Sequence, residues 1–206
     1  MKSTSVLAGK LHTYATENKY PKANAAGYRI QGISWSKQGN YAKSLSYFTQ
    51  CLEINRQVFD QKGIAGALGN IGTIYMNQGD YAKALDHFNQ NLEMNKKIDN
   101  QRGIATSLYN IGIIYLYQDN DLKALDYFTQ NIEINKKTGY SKGIAGSLSG
   151  LGIIYKNQGN YVKAREYYER GLEINKEIGD QRGIAIALTN IGTVYIRQEN
   201  YPKALD

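Results

Sequence analysis

The sequence predicts an all-α fold, an α-solenoid of stacked antiparallel helix hairpins, and three observations predict it. A segment of 40 residues recurs along the chain, and fixed periods of this size indicate solenoids. Its copies begin at Gly63, Gly103, Gly143 and, cut short, Gly183, with a weaker copy from about Ala23. Apolar residues within each copy are spaced by three and four positions, as in amphipathic helices. Only 2 prolines occur among the 206 residues, which favours long helices.

Each copy is predicted to hold two helices that are separated by a turn. In the copy from 62 to 101, the apolar positions are Ile64, Leu68, Ile71, Ile74, Tyr75, Leu85, Phe88 and Leu92. Between the two runs, Gly79 can take the left-handed conformation that ends a helix, and Asp80 can cap the next helix. First helices are predicted near 22–38, 62–78, 103–118, 143–158 and 183–198, and second helices near 41–58, 81–98, 121–138 and 161–178. The short connections predict antiparallel neighbours.

The turn between the two helices varies from copy to copy in one respect. Two further copies repeat the stop-and-cap pair, as Gly39-Asn40 and Gly159-Asn160. Two others keep a capping residue but have no glycine, at Asp119-Asn120 and Glu199-Asn200. These turns therefore lack the residue that enters the left-handed conformation most easily.

Glycine recurs at one position of every first helix, although each helical glycine costs about 1 kcal/mol relative to alanine. The series is Gly32, Gly72, Gly112, Gly152 and Gly192. Small residues follow twelve positions later, at Ser44, Ala84, Ala124, Ala164 and Ala204. We expect these two series to let the paired backbones approach closely, with large side chains such as Tyr75 and Phe88 filling the flanks.

Composition and charge narrow the class of protein. The net charge is +7, but the lysines are spread over the copies, which favours solvated helix faces over a nucleic-acid surface. Cys51 is the only cysteine, so one chain can form no disulfide, as is typical of the reducing cytoplasm. No apolar run approaches the roughly 18 residues that span a bilayer. We therefore expect a cytoplasmic protein without a membrane or nucleic-acid partner.

Candidate catalytic residues are few, and each has a structural interpretation. The two histidines, His12 and His87, are unpaired, and His87 occupies a position that is tyrosine in three other copies. Cys51 falls on the buried side of a helix, where a thiol is inert. A glutamate such as Glu93 recurs three positions before a basic residue such as Lys96, which predicts helix salt bridges. We expect no enzyme activity, no cofactor and no metal site.

A family resemblance is carried by Leu68-x2-Ile71-Gly72-x2-Tyr75-x8-Ala84-x3-Phe88. This pattern resembles the tetratricopeptide repeat signature and recurs in the next three copies. The period of 40 residues, with asparagine before Ile-Gly, is similar to the Leu-Gly-Asn subgroup of that family. The chain departs from the family at a later position that is usually alanine, where it has Cys51, Asn91, Asn131 and Gly171.

The resemblance implies a right-handed α-solenoid over residues 22–206, with units at about 22–61, 62–101, 102–141, 142–181 and a truncated 182–206. Residues 1–21 are interpreted as a degenerate capping helix that covers the first hairpin. The last unit ends at Asp206, about one turn into its second helix, so the helix at 183–198 lacks a partner. Either the chain is part of a longer protein or this end packs on another molecule.

In this family the first helices line a concave groove that binds extended or helical peptides. Carried over by position, the predicted peptide-binding residues are Asn70, Thr73, Asn77, Tyr109, Asn110, Ile113, Tyr117, Ile153, Lys156, Asn190 and Arg197. The asparagines are interpreted either as ligands for a peptide backbone or as partners of neighbouring helices. Tyr109, Ile113, Leu116 and Tyr117 are expected to make the middle of the groove apolar.

The resemblance implies a non-enzymatic scaffold with a protein or peptide partner. One alternative is a regulatory or sensory segment of a larger signalling protein, such as a bacterial kinase or regulator. Another is a module that self-associates through its uncovered C-terminal end. A chaperone-tail clamp is disfavoured, because Ile33, Tyr109 and Ile113 stand where that clamp has polar residues.

Overall fold

A computed structural model describes residues 20–199 continuously, together with Gly9, Lys10, Thr13, Pro202 and Lys203. The predicted capping helix at 1–21 therefore lies almost entirely outside the described residues. The same is true of most of the truncated helix after residue 199.

Residues 20–199 form nine α-helices and contain no strand. The first helices are α1 (Pro21–Lys37), α3 (Gln61–Asn77), α5 (Gln101–Tyr117), α7 (Ser141–Asn157) and α9 (Gln181–Arg197). The second helices are α2 (Tyr41–Gln57), α4 (Tyr81–Lys97), α6 (Asp121–Thr138) and α8 (Tyr161–Glu177). The all-α prediction is confirmed, and helix bounds lie within two residues of those expected. None of these helices is both long and apolar enough to cross a bilayer.

Two first helices, α3 and α9, begin slightly earlier than predicted and are capped by an aspartate side chain. The carboxylate of Asp60 accepts a hydrogen bond from the backbone N–H of Gly63 at 3.0 Å, so α3 begins at Gln61. Asp180 caps α9 in the same way. Each cap satisfies a backbone donor that has no partner within its helix.

The chain divides into two compact units, residues 1–107 and 108–206, with the boundary inside α5. The core of unit 1 contains Phe48, Cys51, Leu68 and Ile71. The core of unit 2 contains two clusters of buried residues, one around Phe128, Leu151 and Ile154 and one around Ala164, Tyr168 and Val194. Each unit thus buries the face that its sequence marks as apolar.

The recurring helix glycines make room for an aromatic ring. A methyl group added at Gly72 would lie 3.0 Å from the ring of Phe88, and one added at Gly32 would lie 2.5 Å from the ring of Phe48. Ser44 does lie against the first helix, because its hydroxyl donates to the Gly32 carbonyl at 2.8 Å. The atoms nearest to an added methyl group nevertheless belong to the aromatic ring and not to the small residue.

Only one of the predicted helix salt bridges is formed among the described residues. Glu93 and Lys96 form an ion pair at 2.9 Å, but the equivalent pairs on α2, α6 and α8 are not formed in the described structure.

On α9, Leu188 is 51% exposed, whereas Leu148 at the same repeat position on α7 is 1% exposed. Ile196 is also exposed, but Val194 is buried.

The turns use left-handed residues with and without glycine. Gly39, Gly79 and Gly159 have φ between 75° and 76°, as predicted, and Asp119 reaches 54° at the same position. In the other type of turn, Gly139 and Gly179 have φ of 69°, while Phe59 has 53° and Asp99 has 49°. The turn geometry therefore overrides the preference of the residue, at a cost of roughly 1 kcal/mol for each non-glycine position.

Replacing Phe59 by glycine is expected to raise the free energy of unfolding by about 0.5–1 kcal/mol, because it removes left-handed strain. The Phe59 ring is 87% exposed, so its loss removes little packing. The measurement is urea denaturation followed by circular dichroism. The control is Gly179→Ala at the same turn position, which should lower stability. Equal signs for the two changes would contradict the strain argument.

Candidate functional site

The first helices of unit 2 lie side by side. On α5, the ring of Tyr109 lies close to α7, because a methyl group added at Gly146 would be 3.4 Å from it. Between α7 and α9, the Asn190 amide donates to the Ser149 hydroxyl at 3.3 Å. These contacts define one surface, the first-helix face of unit 2, formed by Tyr109, Asn110, Ser149, Ile153 and Asn190.

Tyr109, the aromatic residue of this face, is half-buried against the second helix of its own hairpin, α6. The centroid of the Tyr109 ring is 5.8 Å from that of Phe128 on α6. Burial, and to a smaller extent the nearby Tyr117, raises the pKa of Tyr109 above its ordinary value. Ile113 and Ile153 pack against the same cluster of buried residues. Tyr109, Ile113 and Ile153 therefore form an apolar floor within this face, and this floor packs on the core of unit 2.

Leu116 does not belong to this surface. It is buried in the core cluster of unit 2 with Phe128 and Ile154. The expectation that Leu116 lines the middle of the groove is wrong, because the second helix covers it. Tyr117, the next residue, is 60% exposed at the end of α5 and is available to a ligand.

The asparagine series separates into two kinds. Asn190 is partnered by Ser149, which matches the structural interpretation of these amides. Asn70 and Asn110 are half-buried, and their side chains make no hydrogen bond to any other described residue. Gly150 interrupts the series on α7, where a methyl group would be 2.6 Å from the Phe128 ring.

The remaining predicted residues are less informative. In unit 1, the Thr73 hydroxyl donates to the Gly69 carbonyl of its own helix at 2.9 Å, and Asn77 is exposed. In unit 2, Lys156 is half-buried and Arg197 is exposed. The predicted positions thus lie on first helices in both units.

His87 and Cys51, two of the candidate catalytic residues, are both packed against neighbouring side chains. The His87 ring stacks on Tyr75 with centroids 5.4 Å apart, as Tyr127 stacks on Tyr115 at 5.5 Å. Cys51 is buried, accepts a hydrogen bond from Asn55 and has a thiol pKa that burial raises. Within the described residues, no cluster of three or more histidine, cysteine or acidic side chains is placed to hold a metal ion.

His87 should give the fold a pH dependence. Burial lowers the pKa of His87 below its ordinary value of 6.5, so the unfolded chain binds a proton more tightly than the folded chain. The neutral His87 ring therefore contributes its full stabilisation above pH 6.5, and this stabilisation is lost as pH falls through the depressed pKa of the folded protein. We expect His87→Tyr to melt at a temperature that changes less between about pH 8 and pH 5. Identical pH profiles for the two proteins would contradict this assignment.

The structure contains a cavity in unit 2 that the sequence pattern did not assign. It lies between α7, α8 and α9 and has a volume of about 300 Å³. Its walls include Tyr109, Ala145, Tyr168, Gly171 and Ala187. The only signal in the sequence was Gly171, which stands where two other copies have asparagine.

One residue of the cavity wall, Tyr168, has a buried hydroxyl without a partner among the described residues. Tyr168 takes the place of Phe48, Phe88 and Phe128 in the other copies, and its side chain is 1% exposed. Its hydroxyl has no hydrogen-bond partner among the described residues. Burial raises the pKa of Tyr168 to about 12.

The repeated geometry agrees with a comparison of the sequence with known families. A tetratricopeptide repeat model matches residues 63–137 and 143–206, and a second model of that repeat matches residues 36–58. The chain belongs to the tetratricopeptide repeat family. No curated protein matches the sequence.

Solved tetratricopeptide-like structures show the same fold. BtubC (BKLC) from P. vanneervenii has a TM-score of 0.84 at 17% identity, covering 98% of this chain and 86% of that one. A Rap protein complexed with competence and sporulation factor has a TM-score of 0.76 at 18% identity, covering 90% and 51%. The quorum sensor NprR from B. thuringiensis, in its apo form, has a TM-score of 0.76 at 21% identity, covering 98% and 57%. The chain therefore spans about half the length of the last two proteins.

Proposed function

We propose that this chain is a non-enzymatic scaffold that binds a peptide segment of a partner protein on the first-helix face of unit 2. The observation that carries the proposal is the side chain of Asn110, which makes no hydrogen bond to another described residue and lies on α5 between Tyr109 and Ile113 of the apolar floor. A peptide needs both features, because its side chains bury apolar area and its backbone needs hydrogen-bond partners.

An asparagine is suited to a peptide backbone. Its amide donates through nitrogen and accepts through oxygen, so one side chain can pair with both groups of a peptide unit. Asn110 is half-buried, which shields such bonds from water and strengthens them. Tyr117, exposed at the end of the same helix, adds an aromatic contact of the kind enriched at interfaces.

The experiment is selection of peptides from a displayed random library on the intact chain, followed by affinity measurement on variants. We expect Asn110→Ala combined with Tyr117→Ala to weaken binding about tenfold or more, since each lost contact is worth about 1 kcal/mol. The control is Leu122→Ala, which changes a residue on α6 that is 86% exposed. Unchanged affinity in the double variant, with an unchanged melting curve, would contradict the proposed surface.

A second candidate function is that of a sensory segment in a larger signalling protein. The favouring observation is that the chain matches about half of a quorum sensor and half of a Rap protein that was solved with competence and sporulation factor. The proposed peptide site would then report a bound signal to a further domain. The reading frame after Asp206 tests this candidate, because a stop codon directly after that residue would contradict it.

A further inference from the structure

We propose that the cavity between α7, α8 and α9 is a subsite for a primary carboxamide, the side chain of an asparagine or glutamine. In the chain's biological setting this side chain would belong to the bound peptide, so that part rests on the proposed function. The subsite itself is argued from a comparison of Gly171 with two equivalent positions along the chain, Asn91 and Asn131.

In two copies, the position equivalent to the cavity is filled by the protein's own asparagine. The amide nitrogen of Asn91 donates to the carbonyl oxygen of Ala65, and its oxygen accepts from the Ser107 hydroxyl. The oxygen of Asn131 likewise accepts from the Ser147 hydroxyl at 2.7 Å. A carboxamide is therefore the group that this site accommodates when the chain supplies it.

In the copy that begins at Gly143, both members of this asparagine–serine pair are missing. Gly171 replaces the asparagine, and Ala187 replaces the serine. A methyl group added at Gly171 would lie 3.5 Å from the carbonyl oxygen of Ala145, the counterpart of Ala65. The acceptor that binds the amide nitrogen in the earlier copy is thus still present on the wall of the cavity, without its donor.

Tyr168 supplies the second polar group. Its hydroxyl is buried and has no hydrogen-bond partner among the described residues, and the residue lines the cavity together with Gly171. A buried hydroxyl without a hydrogen bond is unfavourable, so a ligand that pairs with it gains affinity. It offers a donor in place of the missing serine hydroxyl.

These two groups select the chemical class of the ligand. A carboxamide can donate to the Ala145 carbonyl and accept from the Tyr168 hydroxyl at the same time. A carboxylate only accepts, so it would face the carbonyl oxygen of Ala145 unfavourably. An aliphatic side chain would leave both protein groups without a partner.

Size and charge are consistent with one neutral side chain. Ligand pockets span about 300–1,000 Å³, so this cavity is at the small end of the range. At its rim, Lys142 and Asp180 neutralise each other in an ion pair at 2.7 Å. Arg182 is exposed, and water and salt screen its charge.

The test uses a variant that fills the cavity with the protein's own asparagine. Gly171→Asn combined with Ala187→Ser reproduces the residues of the two earlier copies. The probe is N-acetyl-L-asparagine methylamide, titrated into the ¹⁵N-labelled full chain at millimolar concentration. We expect saturable shifts of the Gly146 and Gly171 amide signals in the unchanged protein, and at least tenfold weaker binding to the double variant.

Two matched compounds and one further variant complete the test. N-acetyl-L-aspartate methylamide and N-acetyl-L-leucine methylamide should bind at least threefold more weakly than the asparagine compound. Tyr168→Phe, which introduces the residue found at Phe48, Phe88 and Phe128, should also weaken binding at least threefold. Tyr168→Phe keeps the test decisive if the variant that combines Gly171→Asn with Ala187→Ser does not fold.

The subsite would be overturned by any of three results. These are absence of saturable shifts, equal binding of the three compounds, or equal binding by the unchanged protein and the folded variants. Failure of the proposed peptide function gives a different pattern. If no displayed peptide binds but the asparagine compound does, the peptide function fails and the subsite stands. If selected peptides bind the double variant unchanged, the peptide site stands and the subsite fails.

Discussion

Phe128→Ala is expected to lower the free energy of unfolding by about 4 kcal/mol, which is the largest effect of any single change considered. Phe128 is completely buried on α6 and packs with Leu151 and Ile154. It also lies against Gly112 and Gly150, so its ring touches two first helices. Truncation removes apolar area and leaves a cavity that the helices cannot fill. Urea denaturation followed by circular dichroism measures the loss.

The control for this change lies on the same helix. Leu122 is 86% exposed at the beginning of α6, so Leu122→Ala removes almost no packing. Its effect should stay within about 0.5 kcal/mol of zero. Similar losses for the two variants would mean that Phe128 does not hold the hairpin together.

Gly32→Ala is expected to lower the free energy of unfolding by about 2 kcal/mol, the second largest effect. The added methyl group would lie 2.5 Å from a ring atom of Phe48, and two more ring atoms are within 2.9 Å. The ring is buried and cannot move away freely. This overpacking should outweigh the gain of about 1 kcal/mol that alanine brings to a helix.

Gly66→Ala is the matched control for the steric effect. Gly66 lies on α3, another first helix of unit 1, and a methyl group there would meet nothing within 4 Å. This change should raise stability by about 0.5–1 kcal/mol through helix propensity alone. The two glycine-to-alanine changes should therefore have opposite signs. A gain in stability for both would show that the Phe48 ring does not require glycine opposite it.

The fold was predictable because its information is local and repeated. The period of 40 residues, the apolar spacing and the stop-and-cap turns each fix a feature within one hairpin. Phe59 and Asp119 show the limit of local patterns, because both adopt left-handed backbone conformations that their residue types disfavour. At these two positions the only sign in the sequence is the glycine that other copies have at the same place in the turn.

The site was predictable only in outline. The family resemblance indicated that the site lies on the first helices. It could not show that the Asn190 amide donates to Ser149 while the Asn110 side chain makes no hydrogen bond to another described residue. Those contacts join residues about 40 positions apart, and they depend on which side chain the next copy supplies. The cavity depends on a missing side chain at Gly171 and an extra hydroxyl at Tyr168. Such combinations become visible only when helices from successive copies are placed together.

The most direct test of peptide recognition is a map of amide chemical-shift changes on the ¹⁵N-labelled chain as a selected peptide is added. Binding on the first-helix face of unit 2 predicts changes at Asn110, Ser149 and Asn190, with no change at the exposed second-helix residues Leu122 and Val162. Changes confined to Leu122, Val162 and their neighbours would contradict it and would place recognition on the second helices.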